Sequence, residues 1–376
     1  MKLMPPRRAE NERWPRRRVL SVLPWMAFAL RAPAGGRVRD EYPSERFRFL
    51  DPATEFEVSR LTNPQYTSFL PANSNRVISR RSSFLIYCSD RSGSFQAYAL
   101  DLRNWESRQL TEAEDLSTTS VVLSPDDRWI CYLDSGALWI ASSGGGRNRV
   151  LYRPANGWSL APVLSVTPEG PSAVAVETDG ERSRLLMIPF GRSAPSAVAE
   201  VQGRILTASP RPRRASVMFR REDGSIWLAE TTGPRQYQVR TEGRPGAAHW
   251  SPDGRTIFYL DLPEQQGKVI TIRELDPDTR EDKLLAPTTQ FIEFAVNSDA
   301  SVFVGASGSL AAPYVLLLIR AAKRELTLCE HRRNGDMAVQ PMFSPDSQKV
   351  FFQSSKHGKP AIFMMAVDKL VEKTES

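Results

Sequence analysis

Histidine and cysteine are both scarce, with three of each in 376 residues. His249, His331 and His357 are too scattered to give a metal-ligand pattern, and Cys88, Cys131 and Cys329 fit neither a zinc site nor a disulfide framework. The cysteines are read as buried thiols that fill small apolar sites. A G-x-S-x-G nucleophile elbow is missing: "VGASGSL", Val304 to Leu310, has Ser309 where the second glycine would stand. A phosphate loop is missing too, because "SSGGGRNR", Ser142 to Arg149, lacks the Gly-Lys-Ser/Thr ending and reads as a hairpin turn. The apolar run Val19 to Leu30 is too short to span a bilayer, so no integral membrane segment is expected. No reaction is named by a short motif.

The excess of positive charge is confined to one end. The formal net charge is +7, but residues 1–39 carry ten Lys and Arg against Glu10 and Glu12, and the remainder is close to neutral. Bulk charge therefore implies no nucleic acid partner. The segment 1–40 contains "PRRRVLSVLPWMAFALRAPAGG", with paired arginines, a short apolar run and an Ala-Pro-Ala. It reads as a signal peptide of twin-arginine type, which would place the mature protein in the periplasm or outside the cell. The alternative is a disordered extension on a cytoplasmic protein.

What the chain has in abundance is a repeated phrase. "VLSPDDRWICYLD", "HWSPDGRTIFYLD" and "QPMFSPDSQKVFFQSS" each place an apolar strand, a Ser-Pro-Asp turn and a second apolar strand in order. Weaker copies bring the landmarks to Ser79, Ser124, Thr167, Ser209, Ser251, Val296 and Ser344. Spacings of about 40 to 50 residues built from short strands are the signature of a propeller blade. The fold class is therefore all-β, a seven-bladed β-propeller occupying 41–376 as one domain. The last repeat lacks an outer strand, while "EFEVSRLT" (Glu55 to Thr62) resembles "WESRQLT" (Trp105 to Thr111). An N-terminal strand joining the last blade would close the ring and remove exposed sheet edges.

In such a ring the first strand of each blade lines the central channel. The entering segments place Asn73, Asn75, Arg76, Thr118, Trp158, His249, Glu293 and Gln340 near the axis. Polar groups of this kind suit a hydrated or sugar-like ligand, or else hold water and cap strand ends. His249 is the one histidine expected to face the axis, and a neutral imidazole can accept a proton. The clusters "RPRRAS" and "EHRRN" are read as solvated turns.

The phrases "LIYCSDRSGSFQAYALDLRNWESRQLT", "HWSPDGRTIFYL" and "PMFSPDSQKVFFQSSKHGKPAIFMM" resemble those of Tol-type propellers and, more closely, oligogalacturonate lyase, over most of residues 55–367. That resemblance implies a seven-bladed propeller that cleaves short pectin-derived oligouronides by β-elimination, with a manganese-type ion held by histidines and a glutamine. At the family's ligand positions before Pro341 this chain has Gly335, Ala338 and Gln340, so the family's Mn(2+) ligands are unmatched and no cofactor is assigned. The histidine ahead of "W-S-P-D-G" is matched by His249, the implied base. Arg76 is the residue that would grip a uronate carboxylate in place of the ion. Asn73, Asn75, Thr118, Trp158, Glu293 and Gln340 would contact substrate. Two readings follow: a divergent lyase acting on a small acidic oligosaccharide, or a non-catalytic propeller that binds a glycan, peptide or protein partner on its rim.

Overall fold

The computed structural model describes residues 40–370, apart from 147, 240, 242, 264–268 and 289. The proposed signal segment 1–40 therefore lies outside the described residues except for Asp40. Among the described residues strands alternate with turns, and the one helical element is a 3₁₀ turn at Asp368–Leu370. No helix there is long and apolar enough to cross a membrane.

The strands form seven antiparallel sheets. Blade 1 runs from Ser68–Phe69 out to Ser107–Gln109, and blades 2 to 6 each have four strands in chain order, beginning at Leu116–Leu123, Ser159–Val166, Ile205–Pro210, Arg244–Trp250 and Phe291–Val296. Blade 7 starts at Met342–Phe343. The middle strands carry near-continuous apolar runs, such as Phe84–Ser89 and Tyr314–Ile319, because successive side chains point to opposite faces and both faces are buried against neighbouring sheets. Met218 and Leu228 of blade 4, for example, meet Trp250, Ile257 and Tyr259 of blade 5 in one cluster.

The recurring serine explains why the phrase recurs. In blades 2, 5 and 7 its backbone N–H bonds the carbonyl five residues on, and its hydroxyl accepts the N–H of that same residue: Trp129 (2.9 Å), Thr256 (3.0 Å) and Lys349 (2.9 Å). The hydroxyl of Ser251 donates to Asp253 at 2.6 Å, as Ser124 does to Asp126. One side chain thus pins both ends of the hairpin. The same backbone bond identifies the turn residue in every blade as Ser79, Ser124, Thr167, Arg211, Ser251, Asn297 and Ser344. Two landmarks shift accordingly: Ser209 and Val296 belong to the innermost strands, and Arg211 and Asn297 hold the turns.

The ring closes through its N-terminus. Glu57–Arg60 pairs antiparallel with Ala361–Ala366, the third strand of blade 7, with Ser59 opposite Met364 and Arg60 opposite Phe363. Thr62 and Thr111 show why the two outer-strand phrases look alike, since each hydroxyl accepts a backbone N–H of the adjacent strand, from Ile362 (3.0 Å) and Ala97 (2.8 Å). Two further strands were not visible in the sequence: Phe47–Leu50 adds a fifth strand to blade 7, and Glu41–Tyr42 a fifth to blade 1. The closure is anchored at Asp51, fully buried, which accepts the Glu330 N–H at 3.1 Å and pairs with Lys356 Nζ at 2.9 Å. Arg91 of the "SDRSG" phrase holds the preceding arm through a two-pronged pair with Glu45 and a 3.7 Å contact over the Tyr42 ring.

Candidate functional site

Seven inner strands reach the axis with their turn residues in equivalent places, so positions can be compared blade by blade. Four residues before each turn residue stand Asn75, Ser120, Val163, Thr207, Ala247, Glu293 and Gln340. At or next to this level the strands of blades 2 to 6 leave regular pairing through a bulge. In blade 7 Gln340 itself takes a left-handed backbone, with φ of 52°. Bulges re-aim side chains and gather at functional sites. No two of the seven residues are alike.

Three of them join in bonds that cross from blade to blade. The Glu293 carboxylate of blade 6 accepts the backbone N–H groups of Val339 (2.6 Å) and Gln340 (3.0 Å). Gln340 Oε1 accepts the N–H of Asn73 at 2.7 Å, and Asn73 Nδ2 donates back to the Phe294 carbonyl at 3.0 Å. Asn75 Nδ2 reaches the Val121 carbonyl of blade 2 at 3.2 Å. Burial pushes the Glu293 carboxyl above its ordinary range, and the two N–H groups offset part of that. Much of the polarity that suggested a ligand is committed to holding blades 6, 7, 1 and 2 together.

A cavity of about 260 Å³ opens on the axis toward the turn side, lined by Asn73, Asn75, Arg76 and His249 along with turn residues of blades 5, 6 and 7. It therefore brings together four of the eight residues singled out from the sequence. His249 sits edge-on to Phe294, ring centres 4.8 Å apart. Desolvation lowers its pKa to about 4, a hydrogen bond to the Phe294 backbone offsets part of this, and the charge of Arg220 lowers it further. At neutral pH the ring is an uncharged, weak base.

Arg76 does not stand free to grip a ligand. Its Nη1 donates to the Ser124 carbonyl and its Nη2 pairs with Asp127, whose other oxygen accepts the Arg80 N–H at 3.0 Å. The guanidinium braces blade 1 against the turn of blade 2 and shows its remaining surface to the cavity. Trp158 and Thr118 lie outside the cavity lining. Trp158 lies under Arg184, 3.8 Å from its ring centre, where that arginine also bonds Glu200. Thr118 contributes its carbonyl to the Cys88 thiol.

Two clusters taken for solvated turns are partly interior. Arg211 is 4 % exposed, forms a two-pronged pair with Asp278 (3.0 and 2.7 Å) and stacks over Trp250. His331 is fully buried, and burial lowers its pKa to about 4. The spacing alone gave no sign of either, because each is interior only through the neighbouring blade. Arg220 was also missed. It lies in Ser216–Arg221 of blade 4 and reaches across to the Gly246 carbonyl of blade 5 at 2.6 Å, which no local pattern announces.

A divalent metal does not fit these residues. Among the described residues no group of three His, Cys, Asp or Glu side chains converges. His249, His331 and His357 stand apart, His357 lying on the outside of blade 7 beside Phe49, 4.7 Å away. The glutamine and carboxylate at the axis, Gln340 and Glu293, already accept backbone N–H groups.

Solved structures share this architecture. An oligogalacturonate lyase in complex with manganese superposes with a TM-score of 0.82 at 21% identity, covering 89% of this chain and 99% of that one. The fold is that of oligogalacturonate lyase. A second such lyase, from Vibrio parahaemolyticus, gives a TM-score of 0.81 at 20% identity, covering 88% and 98%. In sequence the chain is 23% identical to the oligogalacturonide lyase of Pectobacterium atrosepticum over 373 residues, spanning 85% of this chain and 95% of that relative. The oligogalacturonate lyase of Dickeya dadantii is 22% identical over a similar span. No protein-family model matches. The chain is thus an oligogalacturonate lyase-like propeller along most of its length.

Proposed function

We propose that the protein is a divergent oligogalacturonate lyase-like propeller that takes short pectin-derived oligouronides at its axis and opens them by β-elimination. One observation carries this reading. The similarity to lyases spans the whole ring, and the inner strands converge on a polar, bulged level with His249 beside it. In the reaction a base removes the proton from C5 of the uronate. The C–H electron pair becomes the C4–C5 double bond, the C4–O bond breaks, and the departing sugar oxygen takes a proton. His249 is the base, neutral at pH 7 and held in place against Phe294. The C5 proton becomes acidic only when positive charge faces the carboxylate. Incubating the protein with digalacturonate and trigalacturonate and following ultraviolet absorbance of the unsaturated product tests the reading. Turnover lowered about a hundredfold or more by His249→Ala is expected, and no absorbance change with either substrate would remove the lyase activity.

A second reading has an observation of its own. Asn73, Asn75, Arg76, Glu293 and Gln340 each bond a neighbouring blade, as in a site kept for binding rather than turnover. It expects oligouronide, peptide or protein binding without product. The substrate would be met in the periplasm or outside the cell if residues 1–40 direct export, which a reporter fused behind that segment tests.

A further inference from the structure

The metal ligands that the lyase resemblance implies are unmatched in this chain, which leaves a specific gap in charge. β-Elimination beside a carboxylate needs a cation there, and Arg76 is already paired with Asp127. Arg220 is different. Its Nη1 donates to the Gly246 carbonyl at 2.6 Å, its Nε is buried with no hydrogen-bond partner, and no carboxylate pairs with it among the described residues. Thr207 lies directly opposite Arg220 in the blade 4 hairpin, and Thr207 is the blade 4 member of the polar axial level. The guanidinium leans from there onto the innermost strand of blade 5, the strand that carries His249 three residues after Gly246. A desolvated guanidinium without an acid is costly unless something anionic completes it. By contrast, Arg211 holds Asp278 and Arg91 holds Glu45.

We infer that Arg220, outside the cavity lining but bonded to the strand that carries His249, is the resident cation of the axial site, binding the carboxylate of a uronate beside His249 and making that binding independent of a divalent metal. The inference rests on the uronate reading above and names the residue that takes the ion's part in it. A guanidinium suits the task, since two parallel N–H groups meet the two carboxylate oxygens and the charge persists at every working pH. It also explains why Ala338 and Gln340 are tolerated where the lyase resemblance places histidines.

Calorimetry on the full chain tests it, with digalacturonate and the neutral disaccharide galactobiose as probes, in EDTA and again with added manganese. Digalacturonate is expected to bind in EDTA with an affinity that manganese leaves unchanged, and galactobiose about tenfold more weakly or worse. Arg220→Gln should weaken digalacturonate binding by a similar factor, while Arg220→Lys, which keeps the charge, should retain part of it. The His249 imidazole resonance gives a readout independent of folding. Its pKa should rise when digalacturonate binds, and also in ligand-free Arg220→Gln. Binding that appears only with manganese would overturn the inference and leave the lyase-like reading standing. Binding in EDTA without turnover would support the inference and remove the lyase activity, and wild-type affinity in Arg220→Gln would overturn the inference alone. No binding under either condition would end both.

Discussion

The two ends of each inner strand follow opposite rules. At the turn, five blades use Ser or Thr and one uses Asn, and the same backbone bond recurs in all seven. Four residues earlier, at the axial level, no residue type is used twice and most strands bulge. The turn solves a problem every blade shares, which is to reverse the chain without leaving polar groups unpaired. The axial level solves seven different problems, because each blade meets different neighbours across the channel. Repetition therefore marks the scaffold, and departure from it marks the candidate site.

The sharpest way to break the scaffold is at its seam. Asp51 is buried with Lys356, and removing one partner of a buried pair costs about 3–5 kcal/mol. Asp51→Ala should lower unfolding stability by that amount in urea titration, and the loss should exceed that of any turn variant. Burial alone would raise the Asp51 carboxyl, but Lys356 and the N–H groups of Glu330 and Ala53 outweigh it and hold the pKa below the ordinary value. Its stabilisation is therefore full above the ordinary carboxylate range and disappears as pH falls through the lowered folded value. Stability curves of wild type and Asp51→Asn should converge in acid.

Histidine acts over a higher pH window with the same sign. His331 is buried, and its pKa falls from an ordinary 6.5 to about 4. The unfolded chain then binds the proton first, so stability should decline by a few kcal/mol as pH drops from about 6.5 to about 4. Replacing His331 with a non-titrating residue should flatten that slope in urea titrations across the window.

A smaller effect is expected inside blade 6. A Cβ on Gly305 would lie 2.4 Å from the Phe291 ring, so Gly305→Ala should cost about 1–3 kcal/mol by forcing that ring out of its site. Smallest is the turn itself. Ser251→Ala leaves the Thr256 N–H without its side-chain partner and should cost about 1 kcal/mol in thermal unfolding. The same serine deletion in blade 7, Ser344→Ala, should cost a similar amount, because the two turns are built alike.

Legibility followed the same division. Five of the seven turns, the closing strand at Glu57–Arg60 and the buried thiols can be read because they repeat or alternate locally. Blades 4 and 6 were placed one or two residues off because Arg211 and Asn297 replace the serine that marks the turn. The outer strands at Glu41–Tyr42 and Phe47–Leu50 went unseen because they are short and pair with segments far away in sequence. Four axial candidates were found in one cavity, since position in the repeat predicts nearness to the axis. What those side chains do there was not legible: Arg76 and Arg220 have the same chemistry, and only the blade-to-blade contacts show that one is paired with Asp127 and the other has no acid among the described residues.

The account stands most directly on where an oligouronide touches the ring. Titrating metal-free protein with digalacturonate while recording the three histidine ring resonances measures this in one experiment. His249, on the axis, should shift in a saturable way while His357, on the outside of blade 7, stays still. A saturable shift of His357 with His249 unmoved would contradict it.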